Sequence, residues 1–385
     1  MRRLVKVIFY FAVATFITWQ LLPEKYSLNF PIKRLIALDE QQTLDDLTIQ
    51  KGLTLSVYAT GVTGARTLVT TPKGDLLVAQ TSEGIISLLT HNDNNNERAN
   101  SRKVLLKNLH KPHGMALHDG WLYIAETDSV FRIRYDDKQR QLIGSADYII
   151  KNKFPAGGNH WRKSIQISPD DKLFVSIGSS CNTCIESSKY YASLYQYDLD
   201  GSNEQLFASG LRNTEGFDWH PQTQQLYGVD NGRDFLGDNA PPEELNLIQA
   251  QQHYGWPYLH GQRIKDPDYF KRKPAQLLTR QPIHLLPAHS APLSLLFIKH
   301  NSILKNKALV GLHGSWNRSQ RSGYKVVALS IDNNKVTSNL LISGFENNNE
   351  VIGRPVDLAE DLLGNIYLSD DFNGRIFKIT ASSSH

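Results

Sequence analysis

The sequence predicts an all-β chain that folds as a six-bladed β-propeller behind an N-terminal signal or anchor segment, and three observations carry that reading. A turn followed by an apolar strand recurs six times, as TPKGDLLVA, LHDGWLYIA, SPDDKLFVS, HPQTQQLYGV, KNKALVGL and AEDLLGNIYLS. The equivalent apolar residues, Leu76, Leu122, Leu173, Leu226, Leu309 and Ile366, stand 46, 51, 53, 83 and 57 residues apart. A mostly-strand repeat of roughly 40–50 residues is what propeller blades require. Each unit also alternates with period 2 and is rich in aromatic and β-branched residues, as in 121–135 (WLYIAETDSVFRIRY) and 172–178 (KLFVSIG). That pattern suits half-buried antiparallel strands. Finally, the histidines, arginines and Gly-Asn clusters fall in the connections between units. A propeller gathers such connections from every blade at one end of its channel.

The elements follow in order. Arg2, Arg3 and Lys6 precede an apolar run of 16 residues, 7–22, which stops at Pro23. This is the layout of a secretory signal, a little short of the roughly 20 residues of a spanning helix. Trp19, Gln20 and Leu21 leave no small-x-small cleavage site, so a removed signal and a retained membrane anchor through 7–22 both fit. Either one makes the protein periplasmic or otherwise extracytoplasmic, soluble or held at the inner membrane. Residues 23–50 read as a tether with a short helix around 35–47, and 51–385 as the propeller. A strand at 53–62 is expected to pair with 374–379 (GRIFKI), closing the ring and removing edge strands. Asparagine-rich 91–102 and 345–350 suit surface turns. Proline-rich 254–289 accounts for the 83-residue spacing and is expected to roof the channel mouth.

Composition narrows the partners. The formal charge is +4, and the three leading cations leave only +1 for the rest of the chain, no footprint for nucleic acid. Cys181 and Cys184 stand in SSCNTC with no following histidine, which excludes a haem attachment site. Two sulfurs alone cannot close a zinc site, and an exported chain favours a local disulfide. A thioredoxin-like role would want a βαβ context that is missing here. No Gly-rich phosphate loop, paired cysteine-histidine zinc pattern or GxSxG elbow occurs.

Four clusters could carry chemistry. In GGNHWR (157–162), paired glycines allow close backbone approach, and His160 at a strand start can serve as a base near neutral pH, or as an ordinary hydrogen-bonded histidine. In GLRNTEG (210–216), Arg212 and Asn213 offer a fork of donors for carboxylates or quinone oxygens, or a plain turn with a surface arginine. The loop 229–248 (VDNGRDFLGDNAPPEELNLI), running on to HYGWP, supplies the oxygen ligands of a hard cation such as calcium without EF-hand spacing, or is an ordinary polar loop. AHSAP (288–292), HGSWNR (313–318) and GRPVD (353–357) place His289, Trp316, Arg318 and Arg354 at blade entries and exits, where an aromatic can stack on a planar ligand.

Taken together, GGNHWR, SPDDKLFVSIGSSCNTC, GLRNTEGFDWHP, DNGRDFLGD with PPEELN, HYGWP, HGSWNR and GRPVDLAED stand in the order of the sorbosone and glucose dehydrogenase family. The chain resembles these soluble-type quinoproteins over 53–379, most specifically over 212–257, and SSCNTC and HGSWNR are similar to the sorbosone dehydrogenase branch. The resemblance implies two cofactors, pyrroloquinoline quinone and calcium. It makes His160 the catalytic base and Arg212 a catalytic residue that also binds the quinone with Asn213, Asn231 and Arg354. The carbonyls of Gly232 and Arg233 match the pair that holds the calcium. The sequence departs from the family at Asn159, Trp161 and Val356, where His, Thr and a second arginine often stand. The family's cofactor-binding lysine has no counterpart, and Arg318 is the candidate substitute. These departures bear on cofactor affinity and sugar specificity.

The implied reaction is oxidation of a sugar or an aldehyde of the sorbosone type. A proton goes to His160, a hydride to the quinone, and electrons then pass to an external acceptor, since no haem motif exists. Two other readings fit a propeller. A calcium-dependent lactonase would draw side-chain Glu, Asn and Asp from several blades, whereas here Asp230, Asn231 and Asp234 share one loop. A non-catalytic exported binding module would have lost the cofactor.

Overall fold

Each turn-and-strand unit forms the second strand of a blade: Leu76–Gln80, Trp121–Ala125, Lys172–Ile177, Leu226–Asp230, Ala308–Leu312 and Ile366–Asp370. The computed structural model describes residues 26–32, 39–92, 97–333 and 335–382. The expected signal or anchor (7–22) and residues 33–38 of the expected tether, with the start of its helix, lie outside the described residues. Among the described residues no helix is long and apolar enough to cross a membrane.

Six sheets surround the channel, antiparallel apart from a short parallel pair of Gln205–Ser209 with Gln252–His253 at the outer edge of the third, each with its innermost strand entering from the preceding blade. These strands are Ala65–Thr70, Met115–His118, Lys163–Ile167, Thr214–Trp219, Pro292–Phe297 and Pro355–Glu360. The chain is a six-bladed β-propeller, as the repeat predicts. The ring closes in the last blade, where Leu53–Ala59 pairs antiparallel with Arg375–Ala381, Leu53 opposite Ala381 and Leu55 opposite Ile379. The strand ahead of the first unit and the last strand are thereby hydrogen-bonded into one sheet, with Leu53–Ala59 as its outer edge.

The burial of the second strands departs from expectation. Half-buried strands should expose every other residue, yet Leu76–Gln80 and Ala308–Leu312 are buried throughout, and Lys172–Ile177 is buried beyond its first residue. Blades pack against a neighbour on both faces, and strands covered on both faces tolerate continuous apolar runs. Leu76 and Val78 pack into the cluster shared with the last blade, while Leu77 and Ala79 pack into the one shared with the second blade. The core is thus six inter-blade seams rather than one centre. Period-2 exposure survives in the third strand Val130–Asp136, while outer strands such as Lys335–Ser343 are largely exposed. Leu122 is fully buried in the seam between the first two blades. Leu122→Ala is expected to cost about 2–5 kcal/mol through lost transfer energy and an unfilled cavity, measurable by chemical denaturation.

Two connecting segments differ from their expected roles. Part of 254–289 belongs to a sheet: His284–Leu286 is the outer strand of the fourth blade, paired with Glu243–Ile248. The remainder folds as a small ladder, Leu259–His260 with Ile264–Lys265, and a 3-10 turn at Phe270–Arg272. Residues 39–49 are not a loose tether. Asp39 caps the helix Glu40–Asp46 through a reciprocal bond with Gln42, and Thr43 accepts from Arg375 at 2.6 Å. Thr48–Ile49 then extends the fifth blade.

Candidate active site

In an antiparallel blade, the start of the inner strand and the end of the second strand lie at the same end. His160, Arg212 and Arg354 precede inner strands, while Asn231, Gly232, Arg233, Trp316 and Arg318 follow second strands. The topology therefore brings all of them to one mouth of the channel.

His160 is oriented through Nδ1, which lies 3.0 Å from Ser179 O and 2.9 Å from Ser179 Oγ. A carbonyl can only accept, and Ser179 Oγ uses its own proton on Cys181 O at 2.7 Å. Nδ1 therefore carries the ring proton, and Nε2 presents a lone pair. Burial, reinforced by the Arg212 guanidinium, lowers the imidazole from its ordinary 6.5 to about 3. Gly178 permits the approach of its neighbours, because a Cβ there would collide with Asn213 Oδ1 and lie 2.5 Å from His160 Cβ.

Arg212 and Asn213 are held from below by Asp230, which accepts from both backbone N–H groups at 2.9 and 2.7 Å and from Thr214 Oγ1 at 2.9 Å. Asp230 is thus committed to backbone and hydroxyl donors, which leaves the lactonase reading without its first side-chain ligand. The Arg212 guanidinium donates to Asn231 O at 3.0 Å, to Asn182 O at 2.8 Å and to Asn182 Oδ1 at 3.0 Å. The Asn231 amide donates to Asn213 O and Pro292 O, at 3.1 and 2.9 Å. Asn231 so joins the fourth and fifth blades, and its donors face the protein. Gly232 N–H donates to Glu243, and Arg233 turns its side chain away, onto Asp266 at 2.6 Å and Asp268 at 3.0 Å. The Gly232 and Arg233 carbonyls accept no hydrogen bond among the described residues, the condition a hard cation needs in a backbone ligand.

The residues at the fifth and sixth blades form a second group, reached from the first through the 229–248 loop. Arg354 donates to His313 O at 3.2 Å and Gly314 O at 2.9 Å. Arg318 donates to Ala288 O and Asn239, leaving Nε buried and unpartnered. His289 Nε2 lies 2.9 Å from Gly237 O. One face of Trp316, expected to be open to a planar ligand, is stacked by Phe30 at 5.4 Å, with Phe235 at its edge. The stretch 26–32 is pinned there by Asn317 and Arg321, which donate to the carbonyls of Ser27, Asn29 and Phe30.

Sequence reasoning missed a charged cluster that links the two groups. His313 Nε2 lies 3.0 Å from Asp371, Arg66 donates to Asp371 at 2.6 Å, and Arg66 lies 3.6 Å from Glu215. His113 and Arg162 each stand 3.7 Å from Glu215, and Asn213 donates to it at 3.4 Å. Every blade contributes one member. Burial pushes the Glu215 carboxyl up, but Arg162, His113 and Arg66 outweigh it and hold it at about 2. Burial lowers His113 to about 3 and His313 to about 4, so both rings are neutral. Glu215 and Arg162 lie inside the motifs that flagged Asn213 and His160, but nothing local marks them as partners. His113 and Glu215 also line a cavity of about 340 Å³ that runs between the inner strands towards Lys299 and Glu360.

These groups fit a polyanionic quinone and a divalent cation. Arg66 Nε, Arg162 Nε and Arg318 Nε are buried donors without partners, and such groups call for a ligand or water. Cys181, Cys184 and Glu186 also converge, but the two sulfurs are joined as a disulfide and offer no thiolate to a metal.

A model of TrAA12-like proteins matches residues 47–382. An uncharacterized protein of Borreliella burgdorferi is 34% identical over 298 residues, 72% of this chain and 78% of that protein. The pyrroloquinoline quinone-dependent pyranose dehydrogenase of Coprinopsis cinerea is 24% identical over 411 aligned positions, 88% of this chain. The match spans 55% of that enzyme's length. The structure of a Trichoderma reesei Carbohydrate-Active Enzymes Family AA12 protein superposes with a TM-score of 0.77 at 20% identity, over 91% of this chain and 100% of that one.

Proposed function

This chain belongs to the TrAA12-like family, and on that premise we propose that it is a pyrroloquinoline quinone-dependent dehydrogenase of sugars or of aldehydes of the sorbosone type. One observation carries the reading. The unprotonated Nε2 of His160 and the Arg212–Asn213 pair stand at the same mouth, joined through Ser179, whose N–H donates to Arg212 O at 2.7 Å. The quinone, when bound, supplies a two-electron acceptor for hydride. His160 Nε2 takes the proton of the substrate hydroxyl or hydrated aldehyde. Arg212 and Arg354 balance carboxylates and developing negative charge, with Asn213, Asn231 and Arg318 completing or bracing the cradle. The carbonyls of Gly232 and Arg233 are the proposed calcium ligands. Electrons leave to an external acceptor.

Because His160 is held neutral down to about pH 3, the acid limb that it imposes on kcat/KM is expected well below 6.5. Protonation below that limb removes the base. An inflection near 6.5 in the pH profile would count against the assignment.

The apolar run 7–22 and the disulfide support an extracytoplasmic site of action, since disulfides persist in oxidising compartments. Cell fractionation tests this directly. Activity is tested on purified protein stripped with chelator, then supplied with the quinone with and without calcium. Dye reduction is followed against a panel of aldoses and aldehydes. Calcium-dependent dye reduction with any substrate is the expected result. Failure to bind the quinone even with calcium would overturn the dehydrogenase reading.

A further inference from the structure

The SSCNTC loop touches His160, Arg212 and the peptide that follows the proposed calcium carbonyls. Asn182 Oδ1 accepts from Arg212 Nη2 at 3.0 Å and from the N–H of Asp234 at 2.8 Å. Its Nδ2 donates back to Asp234 O at 3.2 Å, and its own carbonyl accepts from Arg212 Nε at 2.8 Å. Two of the guanidinium's three nitrogens therefore rest on this one residue. Asp234 directly follows Gly232 and Arg233, so the same amide pins the peptide beside the proposed calcium carbonyls. One residue earlier, Cys181 O accepts the Ser179 hydroxyl that orients His160.

Backbone bonds anchor the start of the loop, where Ser179 N–H donates to Arg212 O and Ser180 O accepts from Asn159 N–H at 2.8 Å, whereas the turn beyond it has few. Residues 178–187 contain no helix or strand, and the Cys181–Cys184 disulfide closes the turn on which Asn182 sits, with its Cα atoms 6.2 Å apart. Ser180 adds two bonds to Glu186, both at 2.7 Å. Both cysteines are half-buried, within reach of a small dithiol.

We propose that Asn182 is a positioning residue, and that the Cys181–Cys184 disulfide is a redox-sensitive latch holding it against Arg212 and the Gly232–Asp234 peptide. The metal part of this rests on the calcium assignment made above. A dithiol would open the latch in a balanced exchange. The S–S bond breaks, two electrons and two protons pass to the sulfurs as two S–H groups, and the dithiol closes to its own disulfide. Released from its ring, Asn182 would let go of the Asp234 peptide. Outer-shell partners of this kind alter metal affinity by roughly 10–100-fold when lost.

The test uses the full chain free of metal and cofactor. Hydrogen exchange at the Asp234 amide is compared among the oxidised protein, the dithiol-reduced protein, a Cys181→Ser/Cys184→Ser variant, Asn182→Ala and Asn182→Asp. Calcium is then titrated calorimetrically into each. The Asp234 amide is expected to lose at least tenfold in protection on reduction, in the double serine variant and in Asn182→Ala. Calcium affinity should fall with it, by roughly 10–100-fold. Asn182→Asp keeps both acceptor bonds and should restore most of the protection, which a merely disrupted fold would not. If the Asp234 amide is as protected after reduction as before, the latch is overturned, whatever calcium does. If the amide loosens but even the oxidised protein takes up no calcium, the calcium assignment falls and the latch stands.

Discussion

His160→Gln is expected to lower turnover by about 10²–10⁴-fold while leaving quinone binding nearly unchanged. The carboxamide fills most of the same space and can still donate to Ser179 O, now held 3.0 Å from Nδ1. It has no basic lone pair where Nε2 stood, so the proton of the substrate hydroxyl has no acceptor. Cofactor binding survives because the groups proposed to hold it, Arg212, Asn213 and Arg354, draw their support from Asp230, Asn182 and the His313–Gly314 carbonyls rather than from His160. Steady-state kinetics beside a quinone-binding titration separates the two effects. Normal turnover in the variant would remove His160 from the mechanism. Loss of binding with unchanged turnover per bound quinone would make it a structural residue.

The second large effect concerns stability. Glu215→Gln is expected to cost about 3–5 kcal/mol at pH 7, because it removes the carboxylate ion-paired with Arg162 and one of the two ion-paired with Arg66 among the described residues. Arg66 keeps Asp371, but Arg162 is left without its ion-pair partner. The sign of the pH dependence follows from the depressed carboxyl. A group held at about 2 in the fold and 4.5 outside it contributes stability that is fully present above 4.5 and is lost as pH falls towards 2. The gap between the two proteins should therefore be full at neutral pH and close on acidification. Denaturant melts at both ends of that window read it. Adding Arg162→Gln to Glu215→Gln should recover part of the loss, since neighbours in one network are not additive. A gap independent of pH would show that the carboxylate is not what the two arginines hold.

Much of this architecture was readable before any coordinates. The turn-and-strand repeat marked the second strand of each blade, because hairpin turns and strand patterning are local properties of a few consecutive residues. The closure of the ring by 53–62 was readable for the same reason: an unpartnered strand ahead of the first unit had one vacancy to fill. His160, Arg212, Asn213, Gly232 and Arg354 stood out through motif context, and the fold carries them all to one mouth.

What the tertiary structure alone decided concerns contacts between residues far apart in the chain. Continuous burial of the second strands depends on a blade on either side, which no single unit encodes. Which nitrogen of His160 is free was settled by Ser179 and its bond to Cys181, and whether Glu215 is charged was settled by Arg66, His113 and Arg162 from three other blades. The cover over Trp316 comes from Phe30, and the support under Arg212 comes from Asn182. Strand identity is set by short-range geometry, whereas protonation, ligand readiness and support are set by electrostatics and hydrogen bonds across blade seams, where sequence separation carries no information.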